Sequence, residues 1–214
     1  MIIEISINKK LYDKNELTKL FDLASEDFID MIVTPFFYLQ YTEYIQTPKI
    51  GIYIDYPFGL SDRSAREQEI IRAIKKGACC LDVCINSNLI HENRFIEIIE
   101  EFQIYKKICN NSNVILRPVI EPKDLYYKDI IFLSQLLAKE EFTTIVLSTM
   151  LYFEEPVDNL ILAGNLEQSS IQSIVCANFN SEHQFNLIKN AGIYGIRSSS
   201  YNFLSKIKKM VYNN

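Results

Sequence analysis

The sequence predicts an α/β protein built as a single (β/α)8 barrel, and three observations carry that reading. Eight short, mostly apolar runs recur along the chain, each followed by a helical or helix-compatible segment. The runs lack in–out alternation, which is the pattern of a parallel sheet covered on both faces. Eight such units within 214 residues suit a compact closed barrel. An open doubly wound sheet is the competing arrangement. No G-x-G-x-x-G or P-loop follows any run, which weakens its nucleotide-binding form.

Taken in order, Ile2 to Ile7 is a β-branched first strand. Leu17, Leu20, Phe21 and Ala24 fall at helical spacing within Asn15 to Ser25, with Asp13 or Asn15 as cap. Phe28 to Val33 reads as the second strand, stopped by Thr34-Pro35, since proline cannot donate to the ladder. Ile50 to Asp55 is the third, ending in Tyr56-Pro57-Phe58-Gly59. Ser61 or Asp62 opens the next helix, with Ala65, Ile70, Ala73 and Ile74 on its period and Gly77 at its C-cap. Cys79 to Asn86 is the fourth strand, and Glu92 to Cys109 one long helix with Phe95, Ile98, Ile99 and Phe102 on a face. Val114 to Glu121, Thr143 to Thr149, Ser173 to Ala177 and Ile193 to Ile196 complete the strands. Helices are expected from Asp124, over Val157 to Gly164, over Ser181 to Lys189, and over Tyr201 to Tyr212.

No Gly/Ser/Pro-rich linker divides the chain, so residues 1–214 read as one domain. A composition of 48% hydrophobic and 23% charged residues can fill one core. The net charge of −5 argues against general affinity for nucleic acid, which needs a basic surface. Lys206, Lys208 and Lys209 then read as a solvated helix face. No apolar run is long enough to span a bilayer, and MIIEISINKK does not have the layout of a signal peptide. Cys79, Cys80, Cys84, Cys109 and Cys176 match neither a disulfide framework nor a zinc spacing. Reduced thiols in a cytoplasmic protein are the simplest account.

Asp82 stands out, a carboxylate among Leu81, Val83, Cys84 and Ile85. An acid inside an apolar strand is costly to desolvate and so has a partner or a task. In a barrel the chemistry collects at the C-terminal ends of the strands. The candidates there are Lys9, Lys10, Thr34, Asp55, Asp82, Asn86, Glu121, Lys123, Ser148, Asn178 and the run Arg197-Ser198-Ser199-Ser200. That last run, at the end of the eighth strand, suits a phosphate or another small anion; an ordinary serine cap is the alternative. No carboxylate cluster has metal-ligand spacing, and neither a metal nor a cofactor is expected.

In this order and spacing the motifs resemble the deoxyribose-phosphate aldolase family, class I aldolases with a (β/α)8 fold. Val33-Thr34-Pro35, Asp55-Tyr56-Pro57-Phe58-Gly59, Gly77-Ala78 with Leu81-Asp82-Val83-Cys84-Ile85-Asn86, Val119-Ile120-Glu121, Ala191-Gly192 and Ser198-Ser199 are each similar to a family motif. The resemblance spans about Asp27 to Ser200. It implies a lysine that forms a Schiff base on strand six and a second cation on strand seven that depresses that lysine's pKa. At those places stand Leu147, in Val146-Leu147-Ser148-Thr149, and Cys176, in Val175-Cys176-Ala177. Arg117 takes the place of a lysine frequent on strand five, and the family's opening Asp-His-Thr is absent. Leucine forms no imine, and a thiol cannot stand in for an ammonium.

Asp82 is then either a proton-transfer carboxylate with a pKa raised by burial or a structural acid paired with Arg117; the missing lysines favour the second. Cys176 is a nucleophile or a buried inert thiol, and with His91 and His183 at helix starts the inert thiol is favoured. The expected function is an aldolase-like barrel without imine chemistry, binding a small phosphorylated or anionic ligand through Arg117, Arg197, Ser198 and Ser199. The alternatives are an active lyase using a relocated lysine such as Lys123, or a non-catalytic scaffold, and a homo-oligomer fits any of them. Phe58, Phe153 and Phe179 could plug the mouth.

Overall fold

The computed structural model describes residues 1–8, 14–35, 49–123, 125–151, 156–167, 170–177 and 179–212. Strand and helix alternate as β1 (Ile2–Ser6), α1 (Lys14–Ala24), β2 (Met31–Pro35), β3 (Ile50–Ile54), α2 (Arg63–Lys75) and β4 (Cys80–Cys84). Then follow α3 (Ser87–His91), α4 (Phe95–Asn110), β5 (Ile115–Ile120), α5 (Tyr127–Lys139) and β6 (Thr144–Leu147). The chain finishes with α6 (Pro156–Glu167), β7 (Gln172–Cys176), α7 (Glu182–Asn190), β8 (Gly195–Ser198) and α8 (Tyr201–Tyr212). Every strand pairs in parallel with its neighbours in chain order, and β8 returns to β1, so the sheet closes into a (β/α)8 barrel. No described helix is long and apolar enough to cross a membrane.

Two apolar layers follow from the two faces of each strand. The helix-facing layer joins Ile5, Ile32, Ile52, Leu81, Ile120, Leu147, Val175 and Ile196 to helix residues such as Ile70, Phe102, Leu133, Leu162 and Leu204. Inside the barrel a smaller set packs together: Val33, Tyr53, Cys84, Val119, Val146, Ile174 and Cys176. The strands read as apolar runs because both faces are covered, one by helices and one by the barrel's own interior.

Element boundaries depart from the sequence expectation where a polar group ends the regularity. The second strand starts at Met31, not Phe28, because Asp30 turns the chain: its carboxylate accepts from Ile3 N at 2.8 Å and its own N–H bonds Ile3 O at 2.8 Å. Phe28 and Ile29 are buried in the turn before it. The long helix expected from Glu92 is two helices. Asn86 caps the short α3 by accepting from Asn88 N, Asn93 adopts φ 58°, and α4 restarts at Phe95. Ser181 caps α7 in a reciprocal capping box with Gln184, as its sequence pattern predicts. The last strand lies later than expected, over Gly195–Ser198 rather than Ile193 to Ile196.

The loop from β3 to α2 is tied down at its base. Asp55, at φ 53°, accepts from Ser61 N and Ser61 Oγ, each at 2.8 Å, and donates its own N–H to Glu69 Oε2 at 2.8 Å. Arg66, buried, donates to Gly59 O and Ser61 O and pairs with Asp55 and Glu101, both at 2.9 Å. Burial pushes the Glu69 carboxyl above its ordinary value, partly offset by the Asp55 N–H. Gly59 adopts φ +66° against the end of β4, where an added Cβ would lie 2.5 Å from Cys84 O and 2.8 Å from Asn86 N. Both obstacles are backbone and cannot rotate away. Gly59→Ala is expected to cost at least about 2 kcal/mol, combining overpacking with a left-handed residue, measured by urea denaturation. Gly77→Ala shares the positive φ but meets nothing within 4 Å, so it is expected to cost less.

Candidate functional site

The middle of the barrel is ionic. Glu4 sits opposite Arg197 across the β1–β8 seam, and Asp82 opposite Arg117 on β4 and β5. Arg117 donates through Nε to Asp82 Oδ1 at 2.7 Å and through Nη1 to Glu4 Oε1 at 2.7 Å. Arg197 donates through Nη2 to Glu4 Oε2 and Asp82 Oδ2, both at 2.6 Å, and through Nη1 to the Tyr53 hydroxyl at 2.7 Å. Its guanidinium also lies 5.2 Å from the Tyr53 ring centre. Asp82 and Arg197 are 0% exposed and Glu4 1%. Two carboxylates thus face two guanidiniums, and the four formal charges cancel.

The electrostatics follow from burial and pairing together. Desolvation pushes the Asp82 carboxyl up, but Arg117 and Arg197, by charge and by hydrogen bonds, outweigh it and hold it below its ordinary value. Burial pushes the Tyr53 phenol well above its usual range, against the opposing charge of Arg197. Burial also raises the thiols of Cys80 and Cys84 well above theirs, and nearby carboxylates such as Asp82 add to the rise at Cys84. These thiols are therefore protonated at neutral pH and poor nucleophiles.

Above this network, on the β3–β6 side of the mouth, lies a cavity of about 390 Å³. Cys84 and Val119 belong to both the barrel interior and the cavity wall, and so form its floor. Its apolar walls include Pro57, Phe58, Leu60 and Leu125; its polar lining includes Asn86, Asn88, His91, Glu121, Lys123 and Thr149. Glu121 is fixed by Thr149, whose N and Oγ1 donate to Oε2 at 3.0 and 2.7 Å.

The candidates named from the sequence divide between these two places. Asp82, Arg117 and Arg197 come together, but inside the barrel, each bonded to the others or to Glu4. Asn86, Glu121 and Lys123 come together at the cavity. Asp55 serves the β3–α2 loop. Thr34 is buried and donates to Ile7 O. Ser198 and Ser199 are buried at the end of β8; Ser198 Oγ accepts from Ser200 N, and Ser200 caps α8 through Phe203 N. Lys9, Lys10, Phe153 and Asn178 lie outside the described residues. Phe179 does not plug the mouth; it stacks on Phe203 at 5.3 Å.

One placement needs correction. Leu147 packs in the helix-facing layer, so it does not occupy the position of an inward-pointing lysine. The neighbouring interior position of that strand is Val146. Cys176 does face the interior and is 0% exposed. No described strand carries a lysine at any position. Sequence reasoning passed over Glu4 and Tyr53 as members of the network, and His91 at the cavity. Glu4 carried the same signal as Asp82, a carboxylate within an apolar strand.

These features define a (β/α)8 barrel with a polar mouth above a closed interior. Among solved structures, the chain superposes on an aldolase named QR15 with a TM-score of 0.84 at 16% identity, covering 99% of this chain and 96% of that one. A putative deoxyribose-phosphate aldolase from Coccidioides immitis gives 0.82 at 16% identity over 97% of this chain and 84% of that one. The deoxyribose phosphate aldolase from Aeropyrum pernix, described as a unique tetramer, gives 0.80 at 18% over 97% and 90%. The chain therefore has the fold of the deoxyribose-phosphate aldolases. No protein-family model matches the sequence, and no curated protein matches it significantly.

Removing one member of a buried ion pair strands the others. Asp82→Ala is expected to destabilise the protein by about 3–5 kcal/mol at pH 7, read from urea denaturation. Because the folded pKa of Asp82 is lowered, its contribution is present above the unfolded value near about 4 and is lost as pH falls through the folded value. The gap between wild type and variant should therefore stay constant from pH 8 to pH 5 and narrow only below about pH 4. A gap that moved between pH 5 and 8 would contradict this assignment.

Proposed function

We propose that the protein is a deoxyribose-phosphate aldolase-like barrel that does no imine chemistry and binds a small phosphorylated or otherwise anionic ligand at its mouth. One observation carries the reading. The acid that corresponds to the family's motif, Asp82, is wholly enclosed and bonded by two arginines, and no described strand supplies a lysine. An imine requires an amine at the carbonyl carbon and a group free to move its proton. An ionised carboxylate locked between two guanidiniums cannot exchange protons with a substrate it cannot touch.

In this reading Asp82, Arg117 and Arg197 hold the barrel together, and Ser198 and Ser199 shape the β8 end of the mouth. The anion is met on the β3–β6 side, where Lys123, His91 and Asn86 offer donors. A homo-oligomer in the cytoplasm, with its five cysteines reduced, completes the proposal; the tetramer described for the Aeropyrum pernix protein supports the first part. A cavity of about 390 Å³ argues against a purely structural scaffold, which has no use for an open mouth.

A second reading, an active carbon–carbon lyase, is favoured by one fact: Lys123 lines this cavity beside Glu121 and His91. Reductive trapping separates the two. With acetaldehyde or deoxyribose 5-phosphate plus cyanoborohydride, no stoichiometric adduct is expected by intact mass, beside a control aldolase that is labelled. A stoichiometric adduct mapped to Lys123 would establish the lyase instead.

A further inference from the structure

The outer faces of α4 and α5 carry apolar and charged residues in an order that complements itself. On α4, Ile96, Glu100 and Lys107 lie along one stripe of the helix, and all three are exposed. On α5, Phe132 and Lys139 share a stripe, and Glu141 follows just past the helix end; these are exposed too. Ile96 is 72% exposed and Phe132 47%. Two contacts fix how the helices stand beside each other. The Phe95 and Phe132 rings meet edge-on at 5.1 Å, and Gln103 Nε2 donates to Glu140 Oε2 at 2.7 Å. Both join residues equally far apart in sequence, so the two helices run parallel and in step. Ile96 therefore stands level with Phe132. Glu100 lies within about 3 Å of the level of Lys139, and Lys107 within about 5 Å of that of Glu141.

From this we infer that the α4–α5 face joins two copies of this chain, related by a two-fold axis running along the helices. Such an axis sets α4 of each copy against α5 of the other and leaves every residue at its level. Ile96 then meets the partner's Phe132, Glu100 the partner's Lys139, and Lys107 the partner's Glu141, and each contact is made twice. A single exposed apolar side chain is ordinary on a surface. Here two stand level on neighbouring helices, and below them an acid is matched by a base and a base by an acid. That charge complementarity names a second copy as the occupant, because each helix carries what the other needs at the same level. Glu141 pairs with Lys106 of its own chain at 3.2 Å, but its side chain is 88% exposed and has room for a second cation. The inference rests on the homo-oligomer proposed above, and adds the face that makes it.

Sedimentation equilibrium of the full chain tests it. The wild type is expected to contain a dimer, alone or within a larger assembly. Phe132→Asp should weaken this contact by at least about 30-fold, the scale of an interface hot spot. Its circular dichroism and melting profile report separately on the monomer's fold. Glu100→Lys and Lys139→Glu should each weaken it by about ten-fold, since every substitution acts at two symmetric places. Combined in one chain, Glu100→Lys with Lys139→Glu exchanges the signs and should restore the contact, which two independent surface changes would not do. A wild-type monomer would overturn both this inference and the oligomer proposed above, whatever other protein the face then meets. An oligomer indifferent to Phe132→Asp would place the contact on another face, overturning the inference and leaving the oligomer standing. Loss in both single charge variants without recovery in the double one would overturn the two-fold pairing.

Discussion

The structure turns on four charges placed where no water reaches. Glu4, Asp82, Arg117 and Arg197 fill a level of the barrel that is ordinarily occupied by branched apolar side chains. Withdrawing four ions from water costs several kcal/mol each, and pairing offsets this only when the geometry satisfies nearly every donor and acceptor. Here it does, because each guanidinium spreads its donors over both carboxylates, and Tyr53 takes one of the two donors on Arg197 Nη1. Together with Tyr53, the network draws on β1, β3, β4, β5 and β8. Shifting β1, β4, β5 or β8 by one residue would turn a charge into the helix-facing layer, so the network enforces a single register there.

That commitment explains the division of labour along the barrel axis. An acid needed to neutralise two arginines is not available to a substrate, and the raised Cys84 thiol leaves the cavity floor chemically quiet. What remains reactive or selective stands above that floor: Glu121 anchored by Thr149, Lys123, His91 and Asn86, with a wall supplied by the β3–α2 loop. The loop's position depends in turn on Arg66, which grips two of its carbonyls from the first turns of α2. The mouth is thus built on short-range hydrogen bonds, independently of the ionic level below it.

The fold was legible in the sequence because it is written in repeated units. Eight apolar runs and their intervening amphipathic segments survive errors of a few residues at any boundary, including the misplaced start at Phe28 and the undivided helix over Asn93. The site was less legible, for a geometric reason. Assigning Leu147 to the interior was an error of one position, and in a strand one position exchanges the two faces. Pairing Asp82 with Arg117 was readable, since they lie on adjacent strands. That Glu4, far away in sequence, completes the same network was not, because the seam joining β1 to β8 exists only once the barrel is closed. His91 and Thr149 drew little notice because polar residues in loops carry no periodicity to mark them.

The seam also bears on how the chain comes to be folded. Arg197 lies 193 residues from Glu4, yet contributes two of its hydrogen bonds. During synthesis the first strand waits, its carboxylate without its closing partner, until the eighth has emerged. A partly made barrel would bury Glu4 and Asp82 against Arg117 alone, leaving a net negative charge in a dry interior. Such a half-product has every reason to stay open. Completion then becomes a single late event in which sheet closure and charge neutrality arrive together, with loop closure over nearly the whole chain as its entropic hurdle.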